Sequence, residues 1–318
     1  MDAINRRDFV KKAGMAGAGL VASGMATAPA LGGHPLNLLQ SEGDPWRVYF
    51  FSKHLQFLDY NGAAEACAEA GMNGADLSVR PGGHVLPENV ERDLPLAVKA
   101  FQDAGLSVEM MTSGITDPDD PLTEKVLQTA SELGIKFYRL GYYKYDPAIS
   151  VVNMLEKIKV QMSGLARLNE KYRIHGAYQN HAGSNFGAPV WDLWTVIKDM
   201  DPQWTGCQYD VRHATVEGNR SWPLGMKLLK DHIRCMVSKD FKWGEKDGKA
   251  IEVNVPIGEG IVDFEAYFKL AKELGIHGPI TMHLEYEMFP DKEMSQAEMK
   301  AHAIKLMRKD LDALKKYL

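Results

Sequence analysis

Lys99-Ala100-Phe101-Gln102-Asp103-Ala104-Gly105-Leu106-Ser107-Val108-Glu109-Met110-Met111 is the stretch on which the fold turns. Its first half completes an amphipathic helical pattern that runs from Leu94 to Ala104. Gly105 then stops the helix, because glycine takes the left-handed conformation of a helix end without steric cost. Two residues later the pattern becomes a short buried strand, Ser107–Met111. The same step recurs along the chain. Gly71 separates a helix at Leu58–Ala70 from a strand at Gly74–Val79. Gly134 separates Thr123–Leu133 from Phe137–Leu140, and Gly275 separates Phe264–Leu274 from Ile280–Leu284.

The intervening segments complete the alternation. Val48–Phe51 is a first strand. The helix Met154–Tyr172 precedes the strand His175–Asn180, Val190–Met200 precedes Thr205–Tyr209, and Leu224–Leu229 precedes Ile233–Ser238. Ser295–Leu314 is a closing helix. Eight βα units predict an α/β fold: a single-domain (β/α)8 TIM barrel over residues 46–318. A doubly wound open sheet is the alternative. The lack of a G-x-G-x-x-G after the first strand weakens it, and equally argues against a nucleotide cofactor.

Composition sets limits. The 318 residues are 45% hydrophobic and 25% charged, ordinary for a globular chain. A net charge of -5 lacks the basic footprint of a nucleic-acid binder. Cys67, Cys207 and Cys235 are an odd, scattered set, expected as buried small hydrophobes rather than a disulfide or zinc framework. Residues 1–30 read as a leader. Asn5-Arg6-Arg7-Asp8-Phe9-Val10-Lys11-Lys12 resembles the twin-arginine export motif, and an uncharged small-residue run reaches Ala26-Thr27-Ala28 and Ala28-Pro29-Ala30. The expectation is a precursor that meets the twin-arginine machinery and a periplasmic or otherwise extracytoplasmic mature chain, with no membrane span. Residues 31–45, rich in Gly and Pro, read as a linker.

In a (β/α)8 barrel the chemistry sits at the carboxyl ends of the strands. Those ends are polar here: Lys53 and His54; Arg80, leading to His84; Arg139; Gln179, Asn180 and His181; Asp210 and His213; Lys239 and Asp240; His283 and Glu285. Period-two alternation puts Ala177, Gln179 and His181 on one side, and likewise Gln208 with Asp210 and Thr281, His283 with Glu285. On the seventh strand either Val237 with Lys239 or Ser238 with Asp240 points inward. Such a pocket suits a polyhydroxylated or anionic small molecule.

At these residues the chain resembles the xylose isomerase-like TIM barrels of the sugar phosphate isomerase/epimerase superfamily. Tyr178-Gln179-Asn180-His181-Ala182-Gly183 is similar to that family's strand-5 E-N-H or H-N-H motif. Tyr209-Asp210-Val211-Arg212-His213 is similar to its D-x-x-H, Ser238-Lys239-Asp240-Phe241 to its H-x-K-D, and Val255 through Phe264 to its P-G-x-G-x-x-D-F loop. The resemblance implies enediolate chemistry on a sugar and one divalent metal held by Glu, Asp, His and Glu. Only Asp210 survives from that set. Gln179, Val237 and His283 stand at the other positions, with Glu285 two residues beyond. Asp210, Gln179, His283 and Glu285 would suit Zn, Mn or Mg; in the alternative, metal-free site Lys239 fills the cationic role.

The resemblance further implies Glu285 or His181 as base and His213 as acid or as a partner to a substrate oxygen. Lys53, His54, Arg80, His84, Arg139 and Asn180 would bind substrate. Export favours a non-phosphorylated sugar, keto sugar or inositol derivative. A lyase acting on 3-keto-glycosides, and a sugar-binding barrel without catalysis, are the other readings.

Overall fold

A computed structural model describes residues 46–291 and 293–318. The expected leader and linker, residues 1–30 and 31–45, lie outside the described residues. Seven parallel strands come first: β1 (Val48–Phe51), β2 (Gly74–Val79), β3 (Ser107–Ser113), β4 (Phe137–Arg139), β5 (His175–Gln179), β6 (Thr205–Asp210) and β7 (Ile233–Ser238). An antiparallel hairpin follows, β8 (Asp240–Lys246) and β9 (Lys249–Val255). β10 (Ile280–Met282) then pairs with both β7 and β1 and closes an eight-stranded barrel.

The helices are α1 (Tyr60–Ala70), α2 (Val90–Asp103), α3 (Pro121–Glu132), α4 (Val151–Tyr172), α5 (Val190–Ile197), α6 (Val211–Gly218), α7 (Trp222–Leu229), α8 (Phe264–Glu273) and α9 (Gln296–Leu314). Nearly every barrel-strand residue is buried. A parallel sheet between a helical shell and a packed interior has no solvent face, which is why the strands read as apolar runs. The helix stops behave as expected: Gly71, Gly105, Gly134 and Gly275 all have φ between 66 and 84°. No helix of the described residues is long and apolar enough to cross a membrane.

Inside the barrel Tyr49, Met110, Phe137, Ala177 and Cys235 form a separate apolar plug. One step further along the same faces stand Phe51, Thr112, Arg139, Gln179 and Val237. The interior therefore turns from hydrocarbon to polar toward the carboxyl ends, and period-two alternation produces that gradient.

Several elements begin earlier than the apolar pattern suggests. α2 starts at Val90 rather than Leu94, α3 at Pro121 and α4 at Val151; the first turns of α3 and α4 are set by caps, with proline at the start of α3, instead of apolar spacing. Asp120 and Ser150 accept from the backbone N–H groups of Leu122 and Asn153. α5 ends at Ile197, short of Met200. Helix α6 and the β8–β9 hairpin are not anticipated at all. The hairpin turns at Asp247-Gly248, both at positive φ (53° and 72°), the geometry of a two-residue hairpin turn.

Candidate active site

The centre of the barrel mouth is Asp210, fully buried at the end of β6. It is also the N-cap of α6, and its Oδ1 accepts from the backbone N–H of His213 at 3.0 Å. That cap makes D-x-x-H a structural unit: it holds the carboxylate and the histidine on one short helical entry. Asp210 Oδ2 accepts from Gln179 Nε2 at 2.7 Å and lies 3.1 Å from Lys239 Nζ.

Lys239 follows β7 directly, 5% exposed, and its Nζ also sits 2.8 Å from His213 Nε2. Of the two seventh-strand alternatives, the Val237/Lys239 face is the inward one. Asp240 turns the other way. Its carboxylate accepts from the backbone N–H groups of Gly258, Gly260 and Val262 at 3.0, 2.9 and 3.2 Å and anchors the loop before α8. Gly260 is required there, since a Cβ would stand 2.2 Å from Asp240 Oδ1.

The other ring nitrogen of His213, Nδ1, faces Arg212 at 3.1 Å. Arg212 and an ammonium at Lys239 both donate, and a neutral imidazole accepts at one nitrogen only, so one of these two contacts is a hydrogen bond to the ring and the other is not. Burial, followed by the nearby Lys239, drives His213 well below its ordinary range, so the ring is neutral. Burial also lowers Lys239, with Asp210 and Glu285 offsetting part of the effect. His181 lies over His213 with ring centroids 3.8 Å apart and near Tyr142 at 5.2 Å. Burial is the main cause that lowers His181 too, leaving it neutral near pH 7.

Gln179 is fixed on both sides. Its Oε1 accepts from Arg139 at 2.9 Å and from Tyr142 at 2.7 Å, which leaves the amide nitrogen for Asp210. Because Arg139 only donates and an ionised Asp210 only accepts, the amide has one orientation. Across the mouth, Phe51 packs on His283 with centroids 4.5 Å apart, and His54 lies 6.3 Å from His283. Burial pushes His283 down to about 4 and His54 to about 3. Burial alone would raise the Glu285 carboxyl, but His283, Lys239 and His54 more than offset it and hold it well below the usual carboxylate range. Glu285 pairs with Lys53 at 3.2 Å. A cavity of about 340 Å³ opens beside Lys53, His54 and Glu285. A larger hollow of about 460 Å³ lies on the outer helices, lined by Glu91, Pro121, Lys125 and Gln128 among others, away from all these groups.

Two expected binding residues do not reach the mouth. Asn180 is fully buried and spends its amide on the backbone of Asp210, donating to the carbonyl at 2.9 Å and accepting from the N–H at 2.8 Å. His84 points its Nε2 at the carbonyl of Leu58 at 3.3 Å, and its ring lies against Tyr60. Residues that sequence reasoning missed are Phe51, Asp76 and Asn254. Asp76 forms the polar floor, accepting from Thr112 at 3.0 Å, with burial raising it to about 6. Asn254, on the hairpin, accepts from Arg212 at 2.8 Å and donates to the carbonyl of Glu285 at 3.3 Å. Alternation from β1 and β2 would have pointed to Phe51 and Asp76; nothing in the sequence pointed to Asn254.

A closed parallel barrel with its ionisable side chains gathered at the carboxyl ends defines a (β/α)8 barrel of the small-molecule-handling kind. The chain belongs to the xylose isomerase-like TIM barrel family, whose profile it matches over residues 64–317. No curated protein matches the sequence. Among solved structures, it is similar to a D-allulose 3-epimerase from Methylomonas sp. in complex with D-allulose (TM-score 0.64, 16% identity, 86% of this chain and 97% of that one). It is similar to a 3-keto-D-glucoside 4-epimerase from E. coli (TM-score 0.59, 13% identity, 83% and 99%). It is also similar to the IOLI protein with a bound zinc atom (TM-score 0.63, 17% identity, 86% and 99%). At these identities the likeness establishes the fold.

The zinc in the last of these raises the question of a metal here. The side chains as arranged do not fit one. Gln179 offers Asp210 its NH2 rather than its oxygen, Val237 is an alkyl group, and an amine stands 3.1 Å from the surviving carboxylate. His283, on the strand beside Lys239, has its Nδ1 3.6 Å from Glu285 Oε1. Among the described residues no group of three or more His, Cys, Asp or Glu converges as a ligand set.

Proposed function

We propose that the chain is an isomerase or epimerase of a non-phosphorylated sugar, keto sugar or inositol derivative, working by proton abstraction next to a carbonyl. The observation that carries this reading is the packing of His181 on His213, with His213 in contact with Lys239, itself held by Asp210. A neutral base and an oxyanion donor therefore stand side by side, the two groups the reaction needs. His181 takes the carbon-bound proton, and the electron pair moves onto the carbonyl oxygen. Lys239 donates a hydrogen bond to that oxygen. Returning the proton to the neighbouring carbon, while the hydroxyl proton there passes to the former carbonyl oxygen, gives the isomer, and delivering a proton to the opposite face of the original carbon gives the epimer. Glu285, held strongly ionised, is the weaker of the two expected bases. His213 positions Lys239, because both of its ring nitrogens already face protein partners. Export rests on the Asn5–Lys12 motif and places the reaction outside the cytoplasm.

The test is hydrogen–deuterium exchange at the carbon next to the carbonyl, across a panel of free keto sugars. Removing one preorganised oxyanion donor costs about 10²–10³-fold in rate. Exchange by the wild type should therefore fall by about that much in Lys239→Met, and it should also collapse in His181→Ala. Tight binding of a keto sugar with no exchange in the wild type would instead favour the non-catalytic sugar-binding barrel.

A further inference from the structure

We infer that the substrate of this mouth carries a carboxylate, bound between Arg80 and Arg139. The inference rests on the reading of the mouth as a sugar site and narrows its substrate to sugar acids. The two guanidinium carbons lie 5.5 and 5.9 Å from the centroid of the same Phe51 ring, and Arg139 also covers Tyr142 at 4.9 Å. Stacking on aromatic faces fixes the planes of the two groups and leaves their N–H edges free to donate.

Neither arginine is ion-paired. Among the described residues no carboxylate comes within 4.0 Å of either. Arg139 is 5% exposed and donates only to the neutral oxygens of Tyr142 and Gln179, while its buried Nε has no partner. The Arg80 side chain, half-buried, makes no hydrogen bond among the described residues. Buried charge is costly unless paired. Elsewhere at the mouth the charges do pair, Lys239 with Asp210 and Lys53 with Glu285. Asp76, on the floor of the mouth, interacts electrostatically with both arginines but lies beyond ion-pair distance of either.

Both guanidinia therefore await an anion, and a planar carboxylate matches the donor geometry of a guanidinium edge. A phosphate ester would bring a second negative charge toward Asp76 and Glu285, which the two arginines would then have to outweigh.

The test compares matched probes by calorimetric titration at low salt: D-glucose with D-glucuronate, D-galactose with D-galacturonate, D-fructose with D-fructuronate, and D-glucose 6-phosphate as the phosphate arm. At least one acid should bind about 10- to 100-fold more tightly than its neutral partner, the value of about one charge-assisted hydrogen bond. Arg80→Gln should erase that preference. This side chain has no hydrogen bond to lose among the described residues, so the variant should fold. Arg139→Gln should erase it too, with its fold checked by circular dichroism. Equal affinity for acid and neutral partners in every pair, or a preference confined to the phosphate ester, would overturn the proposal. The two readings fail separately: a preference for acids without proton exchange would leave the anion subsite and remove the enzyme. Exchange on neutral keto sugars, with no preference for acids, would do the reverse.

Discussion

Asn180→Ala separates a binding residue from a structural clasp. The side chain makes two hydrogen bonds to the backbone of one residue, accepting from the N–H of Asp210 at 2.8 Å and donating to its carbonyl at 2.9 Å, with no exposure to solvent. Truncation strands two buried backbone groups. Each costs about 1–3 kcal/mol when left without a partner, and the carbonyl keeps helical acceptor capacity, so a total of about 2–4 kcal/mol is expected. For a domain of this size that is a fall in Tm of roughly 5–15 °C. Because the same backbone sets the position of the Asp210 carboxylate, kcat should drop more than KM rises. The assay is thermal unfolding by calorimetry beside steady-state kinetics on the keto sugar that shows exchange. A variant with the wild-type Tm and a selectively raised KM would refute the reasoning and return Asn180 to the substrate.

Three further outcomes follow from the geometry. His181 is lowered from its ordinary 6.5 by burial, so its neutral, basic form persists to lower pH. The acid limb of kcat/KM should therefore have its midpoint below pH 6.5 and vanish in His181→Gln; a midpoint above 6.5 would contradict the assignment. Dialysis against EDTA should leave proton exchange unchanged, because Lys239 holds the place beside Asp210; loss of exchange that Zn or Mn restores would show that the amine gives way to a metal. Asp310, with no solvent exposure, is raised by burial to about 7, so the folded state holds its proton more tightly than the unfolded chain. That contribution is complete below about pH 4 and is lost as pH rises to 7. At about 1.4 kcal/mol per pH unit the loss is at most about 4 kcal/mol. Asp310→Asn, neutral throughout, should flatten urea-unfolding stability between pH 4 and 7; a pH dependence equal to that of the wild type would exclude Asp310 as its source.

The fold was legible because glycine stops and buried runs are local signals. Gly105 followed by Ser107–Met111 announces a strand whatever surrounds it, and four such steps suffice for a barrel. The parts that were not legible depend on partners distant in the chain. α6 is eight residues with a mixed pattern, started by an aspartate that the sequence marks more strongly as a site residue than as a cap. The hairpin mixes Phe241, Trp243, Ile251, Val253 and Val255 with Lys, Glu and Gly on strands that lie mostly outside the core, and its value lies in Asn254 reaching both Arg212 and Glu285. Alternation found Asp210, Gln179 and His283 because they continue inward faces, and at the seventh strand it left Lys239 and Asp240 open. It could not tell that Asn180, one step out of phase, lies against its neighbour's backbone, since no sequence pattern distinguishes an amide facing a ligand from one facing a peptide.

The end of β7 carries one last consequence. Lys239 and Asp240 are adjacent, and alternation sends the first to Asp210 and the second to the loop N–H groups at 258, 260 and 262. The strand end thus behaves as a reading frame. A slip of one residue would set carboxylate against carboxylate in the mouth and aim an ammonium at three backbone donors, so both ends of the error repel. A single-residue insertion or deletion in Ile233–Ser238 should therefore be far less tolerated than any one substitution there, and strands that end on such opposed pairs would keep their alignment even where hydrogen bonding alone leaves it free.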